Sequence, residues 1–400
     1  MSWSAPDWLN RGGELLASDP ALAQRLLGHG ICQWPHEAVG YFNLGIGLHQ
    51  RGRIDAAIRA YQTCLALPGA PVQQARNNLS QDLLLAGRWT EGWELYRHRF
   101  DRKPGNYPRF LELFGPPHSG ALLKASGPLL LMNEQGLGDT LQFCRFGLEL
   151  QTRGHAVTLL SQQALVPLLR ESSALQHVEA ALCGDAWKPQ RPRWLPLLDL
   201  PASLGCSPST IPYSSGYLQA EPRRVADWRA RLQRRANHRL VALHWQGNPN
   251  HEHSLYSRGR SMRFEHWLGL APLAGVEFVS IQKGAGSEQL RLDAALPFVA
   301  GQNSVDASMD FRDTAAVLAN CDLLISADSG VVHLAGAMGV PSWVALRHVP
   351  EWRWGLTGEH TPWYDSLRLF RQPRDGDWGS VVRQIRARLL KTAGTATTRD

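Results

Sequence analysis

The chain is 400 residues long, 44% hydrophobic and 19% charged, which supports two or three packed domains and excludes a wholly disordered chain. Its 37 Gly and 25 Pro are scattered without period, which excludes a collagen-like or low-complexity chain, and no apolar run of about 18 residues lacks a charge, so no membrane span is expected. With 42 basic against 35 acidic residues the net charge is +7, but the basic residues are spread along the chain rather than gathered in a stripe, so nucleic-acid binding is not expected.

The N-terminus, MSWSAPDWLNRGGELL, lacks a basic stretch followed by an apolar core, so no signal peptide is expected and the compartment reads as cytoplasmic. Residues 1–103 read as helices. Leu44, Gly45, Leu48, Gly52, Ala57, Tyr61 and Cys64 are matched 35 residues later by Leu79, Ser80, Leu83, Gly87, Gly92, Tyr96 and Arg99. Small residues at Gly45/Ser80 and Ala57/Gly92 would let paired helices approach, with Leu48/Leu83 and Tyr61/Tyr96 filling the gap. The pattern resembles the tetratricopeptide repeat, with Arg99 departing from the small residue expected there. Residues 10–36 are expected to hold a decayed earlier repeat. So short an array needs a neighbour to complete its core; it would be either a packing cap or a peptide-binding groove.

Residues 104–127, rich in Pro and Gly, read as a linker. Leu129–Met132 is then a short apolar run suited to a buried parallel strand. Gly136 and Gly138 follow, then a helix from Asp139 to about Gly154. A strand at His155–Leu160, a helix at Gln163–Glu171 and a strand at His177–Ala181 continue a βαβ alternation, hence a parallel sheet. The proline-rich stretch 186–222 gives no clear element. A basic amphipathic helix spans Arg223–Asn237. Strands at Leu240–Trp245, Glu277–Gln282, Leu323–Ser326 and Ser342–Leu346 then alternate with helices at Phe264–Leu273, Thr314–Asn320 and Gly330–Met338, and a helix at Trp378–Lys391 closes the chain. The division is 1–103 helical, 104–127 linker, 128–222 first α/β domain, and 223–400 second α/β domain.

Two strand-to-helix turns could carry chemistry. In Asp328-Ser329-Gly330-Val331-Val332-His333, a helix opens directly after a buried strand, and its unpaired N–H groups suit a phosphate. Gly330 would let a ligand approach, and His333, one turn in, would face the mouth. The alternative is that Asp328 only caps the helix and His333 only packs. In Gly136-Leu137-Gly138-Asp139, Asp139 either forms a capping box with Gln142 or projects at the sheet edge as a general base.

Together these motifs, with Trp245–Pro249, Arg258–Ser261, Ser280–Gly284, Pro350–Trp354 and Pro362–Tyr364, resemble glycosyltransferase family 9, the ADP-heptose:lipopolysaccharide heptosyltransferases, in its repeat-bearing branch. The resemblance spans about Leu129 to Leu390. It implies a GT-B fold, two Rossmann-like domains facing a cleft, behind tetratricopeptide-like hairpins. It implies an inverting, metal-independent transfer of a sugar, such as heptose, from a nucleotide-diphospho-sugar to a glycan or protein hydroxyl, with no cofactor. The catalytic base falls on Asp139, beside Gly136 and Gly138. The donor motif falls on Asp328, Ser329, Gly330 and His333, a phosphate-contacting base on Arg258 or Arg260, and the nucleoside loop on Lys283 and Glu288. The repeats would contact a protein partner. The rival reading is a non-catalytic scaffold whose GT-B region binds nucleotide; a GT-B epimerase is the third.

Weaker features remain. His251-Glu252-His253 could ligate a metal but reads better as loop. Trp352, Trp354, Trp363 and Tyr364 could stack on a sugar or base but read better as core. Cys32, Cys64, Cys144, Cys183, Cys206 and Cys321 form no CxxC pair and read as free thiols. The five lysines against many arginines fit an anionic ligand or a simple compositional bias.

Overall fold

The computed structural model describes residues 4–102, 107–117, 127–172, 175–180, 192–252, 256–290 and 296–393. The chain opens with three helical hairpins: α1 (Ala5–Glu14) with α2 (Pro20–Gln33), α3 (Ala38–Gln50) with α4 (Ile54–Ala66), and α5 (Val72–Leu85) with α6 (Trp89–Tyr96). Small residues set the helix spacing. A methyl group at Gly45 would lie 2.5 Å from the Tyr61 ring, and one at Gly92 would lie 2.7 Å from Leu84, so the helices could not close over alanine.

The supposed linker contains a helix, α7 (Tyr107–Phe114). Tyr107, Phe110, Leu111 and Phe114 recur at helical spacing, a signal masked by the flanking prolines. Phe110 packs on Trp194 with ring centroids 5.3 Å apart, and the Trp194 indole donates to the Gly115 carbonyl at 3.0 Å. Residues 104–106 and 118–126 of that linker lie outside the described residues.

The first α/β unit comprises β1 (Leu129–Met132), α8 (Leu137–Thr152), β2 (Val157–Ser161), α9 (Val166–Glu171), β3 (His177–Ala180), β4 (Arg193–Pro196) and α10 (Leu200–Ser203). Its sheet is parallel, in the order β3-β2-β1-β4, with Leu129 beside both Val157 and Arg193. Strand β4 comes from the proline-rich stretch that gave no element in the sequence. It is only four residues long and ends at Pro196, so too little pattern survives to read.

The second unit comprises α11 (Pro222–Leu232), β5 (Arg239–His244), α12 (Phe264–Trp267), β6 (Val276–Ser280), α13 (Gln302–Ala307), α14 (Phe311–Ala319), β7 (Leu323–Ala327), α15 (Gly330–Ala337), β8 (Ser342–Leu346), β9 (Leu367–Arg371) and α16 (Trp378–Ala393). Its five strands are parallel, in the order β6-β5-β7-β8-β9. The sequence reading missed β9, an edge strand whose arginines blunt the apolar signal. Helix α11 stops at Leu232, short of Asn237, because Gln233 adopts a left-handed conformation. Strands β1, β2, β6, β7 and β8 are buried along their whole length, and β5 at every position but Arg239, as sheets covered on both faces require.

In each sheet the chain reverses its direction of travel once. The reversal falls between β1 and β4 in the first and between β5 and β7 in the second. Ligands bind α/β sheets in the crevice outside the strand C-termini at such reversals. Here both crevices open on one cleft, a GT-B-like arrangement.

The hairpins are not a separate module. One apolar cluster runs from α4, α5 and α6 through both α/β units. Trp89 stacks on Trp363 at 5.3 Å, and Trp93 meets Trp352 edge-on at 5.2 Å. Arg99, the residue that departs from the repeat, is buried and grips Glu134 with two hydrogen bonds of 2.7 and 2.6 Å and Asp199 with one of 2.7 Å. The irregular position is thus the one that fastens the hairpins to β1 and β4. No described helix is long and apolar enough to cross a membrane.

Candidate functional site

The cleft encloses a cavity of about 1100 Å³. That is at the upper end of what a drug-sized ligand occupies. The segment after β1 contributes Gln135 to Asp139, the end of β5 contributes His244, the segments after β5 and β6 contribute Gln246 and Lys283, and the turn after β7 contributes Asp328 to Val331 with His333. Glu351 and Arg353 follow β8, and Arg260 lies in the loop before α12.

The two glycine turns touch. A methyl group on Gly138 would stand 3.0 Å from the Gly330 Cα and 2.9 Å from the His333 ring. Glycine at Gly138 and Gly330 therefore lets the two units meet backbone to backbone, a second use beside the ligand approach expected of Gly330.

Asp139 does not cap the helix in the way its pairing with Gln142 suggests. The N-cap of α8 is Gly136, and Asp139 stands three residues on, its Oδ2 accepting from the Gly136 N–H at 2.8 Å. Its Oδ1 accepts from Arg353, which reaches across from the second unit. Gln142 is buried and accepts from Arg353 as well. A carboxylate has about four acceptor positions, so Asp139 keeps lone pairs for a hydroxyl.

At the second turn the N-cap of α15 is Ser329, whose side chain makes no capping bond. Its hydroxyl lies 3.2 Å from His244 Nδ1 instead. The first turn of α15 therefore has no side-chain cap among the described residues. Burial pushes His244 down to about 4 and so keeps it neutral. His333 is also neutral: burial, with Arg353, Arg145 and Arg260 nearby, holds it well below the usual imidazole range. Its Nδ1 is 3.1 Å from the Tyr364 hydroxyl, and its ring stacks on Trp354 at 5.5 Å.

Arg353 and Glu351 were not singled out by sequence reasoning. Arg353 donates to Glu351 as well as to Asp139, and its guanidinium lies 4.2 Å from the Trp352 ring centroid. Burial pushes the Glu351 carboxyl up to about 7, against the pull of Arg353, with Asp328 and Asp139 adding to the push. Opposite charges two residues apart in a tryptophan-rich run were the available signal, since buried charges need partners.

The expected site residues divide. Asp139, Gly136, Gly138, Asp328, Ser329, Gly330, His333, Arg260 and Lys283 line the cavity. Arg258 does not: it is exposed, and its carbonyl accepts from Arg347 at 2.8 Å. Glu288 is exposed and does not line the cavity either. Trp352, Trp354, Trp363 and Tyr364 are buried in the core. Glu252 is held by Ser261, His253 lies outside the described residues, and no metal-binding group of three His, Cys, Asp or Glu occurs among the described residues. Cys64, Cys144 and Cys206 are buried free thiols, with Cys144 pushed up to about 12 by burial; Cys183 lies outside the described residues.

The helical hairpins also reach the cavity, through Phe42 and Ile46 of α3 and Gln74, Asn77, Asn78 and Gln81 of α5. Tyr256, from the second unit, lines it beside them. The Tyr256 ring stacks on His49 at 3.8 Å, and its hydroxyl lies 2.7 Å from that of Tyr61 and donates to Asp82 at 3.3 Å.

Comparison with known proteins bears on this site. Protein FlbA of Caulobacter vibrioides is 27% identical over 387 residues, covering 90% of this chain. The chain spans 63% of that relative's length. A glycosyl transferase family 9 structure from Veillonella parvula aligns with a TM-score of 0.49 at 12% identity, over 67% of this chain and 97% of that one. ADP-heptose lps heptosyltransferase II of E. coli aligns with a TM-score of 0.46 at 11% identity, over 66% and 99%. The family model of glycosyltransferase family 9 (heptosyltransferase) matches residues 285–361. The matched residues 285–361 are thus similar to glycosyltransferase family 9, and they include the α15 turn, His333, Glu351 and Arg353 of the cavity.

Proposed function

We propose that the chain is an inverting, metal-independent glycosyltransferase. It moves a sugar, heptose being the substrate named for the family, from a nucleotide-diphospho-sugar to a hydroxyl of a glycan or protein. The observation that carries this reading is that Asp139 and the uncapped first turn of α15 line the same cavity.

The N–H groups of that turn hold the diphosphate, with Arg260 and Lys283 as cations beside it. Asp328, Ser329 and His333 shape the turn, while Gly138 and Gly330 let it meet the first unit. Asp139 takes the proton of the acceptor hydroxyl as its oxygen attacks the anomeric carbon. The bond to the diphosphate breaks on the opposite face, which gives inversion. The charge released comes to rest against the helix N–H groups, which are already oriented to receive it. Arg353 positions Asp139. Arg258 and Glu288 take no part. The hairpins α3–α4 and α5–α6 are tetratricopeptide-like repeats, a reading supported by the close helix spacing at Gly45 and Gly92.

The test is thermal stabilisation by ADP, UDP, GDP and CDP in turn. Ligand that binds only the folded state raises the midpoint. One nucleotide should raise it, and Asp328→Ala and His333→Ala should remove the effect. Equal shifts in wild type and both variants would overturn the site. Binding without any turnover or hydrolysis of sugar donors would favour the non-catalytic scaffold.

A further inference from the structure

Four carboxamides of α5 occupy one face of that helix: Gln74, Asn77, Asn78 and Gln81 stand at i, i+3, i+4 and i+7, and all four line the cavity. Asn78 donates to the Tyr61 hydroxyl at 3.3 Å, and the other three side chains have no hydrogen-bond partner among the described residues. Phe42 and Ile46, one turn apart on α3, run beside them. This wall carries no charged side chain, whereas the rest of the cavity lining carries Arg260, Lys283 and Arg353 together with Asp139, Asp328 and Glu351.

We propose that this wall is the acceptor site and that the acceptor is an extended, uncharged polypeptide segment bearing a Ser or Thr hydroxyl. The proposal rests on the transferase reading above and names its acceptor class. A carboxamide offers a donor and an acceptor together, the pair that each peptide unit of a backbone needs. From Gln74 to Gln81 the helix rises roughly 10 Å at 1.5 Å per residue. An extended chain covers that length with about three residues. The apolar strip of Phe42 and Ile46 takes a side chain of the segment while the carboxamides hold its backbone. A glycan fits less well, because the wall has no carboxylate to accept from paired hydroxyls. The cavity joins this wall to the Asp139 turn, so a segment laid along α5 runs toward the proposed base.

The test uses the full chain and two probe sets. One is an array of neutral decapeptides, each with one Ser or Thr, and the other is a panel of neutral oligosaccharides, chitohexaose and maltohexaose among them. Asn77→Ala and Gln81→Ala are the variants; both positions are half-exposed on a helix that alanine favours, so both proteins fold. Asn78 is left intact because it braces Tyr61. The wild type is expected to bind a subset of the peptides. Each variant should weaken that binding between about two- and tenfold, the range for one lost hydrogen bond. The nucleoside diphosphate shift should be the same in all three proteins. Peptide binding unchanged by the variants would overturn the proposal. So would oligosaccharide binding without peptide binding, or a nucleotide shift with no peptide bound. Loss of the nucleotide shift in the wild type itself would overturn the transferase reading and, with it, the assignment of an acceptor.

Discussion

The turns after β1 and after β7 are built alike, and they end in opposite states. Each follows a buried strand, contains a glycine at the point of contact, and opens a helix into the same cavity. Helix α8 places a carboxylate at its own N-terminus: Asp139 at its third position accepts from the Gly136 N–H at 2.8 Å. Helix α15 has Val332 at the corresponding position and leaves its first turn open. On the reading proposed above, the difference of one side chain makes one helix end the holder of a carboxylate and leaves the other to receive an external anion. Helix dipoles favour negative charge at both of these N-termini; the protein supplies the charge in one case and, on the proposed reading, the ligand supplies it in the other.

The largest effect should come from removing the charge that closes the first turn. Asp139→Asn keeps an oxygen that can accept from Gly136, so the fold and the nucleotide shift should survive. Transfer should fall by about 10²–10⁴, the range for a general base. Full activity in a folded Asp139→Asn protein would mean that the first turn serves structure alone. A smaller effect is expected where the turns touch. Gly138→Ala forces a methyl group to within 3.0 Å of Gly330, so the two units must separate. Overpacking of this kind costs about 1–3 kcal/mol. Thermal melting should register that loss together with a weaker nucleotide shift; an unchanged melting point would show that the units move apart freely.

The strands and both glycine turns were legible because a buried parallel strand is a local apolar run and a turn announces itself by glycine. What escaped has physical reasons. Helix α7 lies between prolines, β4 has four residues, and β9 carries two arginines among its five residues. Arg353 and Glu351 sit among tryptophans, and their role arises only when β8 carries them across the cleft to Asp139. Local pattern cannot encode that meeting. Arg99 looked like decay of a repeat, and its partners Glu134 and Asp199 are 35 and 100 residues away. The carboxamide face of α5, by contrast, is plain in the spacing once the wall it forms is known.

A subtler effect concerns the carboxyl that shares Arg353 with Asp139. Glu351, pushed from an ordinary 4.5 up to about 7, keeps a proton in the folded protein that the unfolded chain has lost. Its contribution to stability is therefore full below about 4.5 and declines as pH rises through about 7. Anion binding follows the same sign, since ionised Glu351 joins Asp328 and Asp139 in opposing a diphosphate. Nucleotide affinity should fall as pH rises through about 7, and Glu351→Gln should flatten that slope in a calorimetric titration series. A slope that persists unchanged in the variant would assign it to another group.

The most direct measurement converts the open turn into a closed one. Val331 is half-buried at the second position of α15 and lines the cavity. Val331→Asp places a carboxylate where the helix dipole favours it, worth about 0.3–1 kcal/mol, and where an incoming phosphate would be repelled. Calorimetric titration of wild type and variant with the stabilising nucleoside diphosphate decides the matter. At least a tenfold loss of affinity with an unchanged or raised melting point is the predicted result. Equal affinity in the two proteins would contradict it, because the diphosphate would then be bound somewhere other than the first turn of α15.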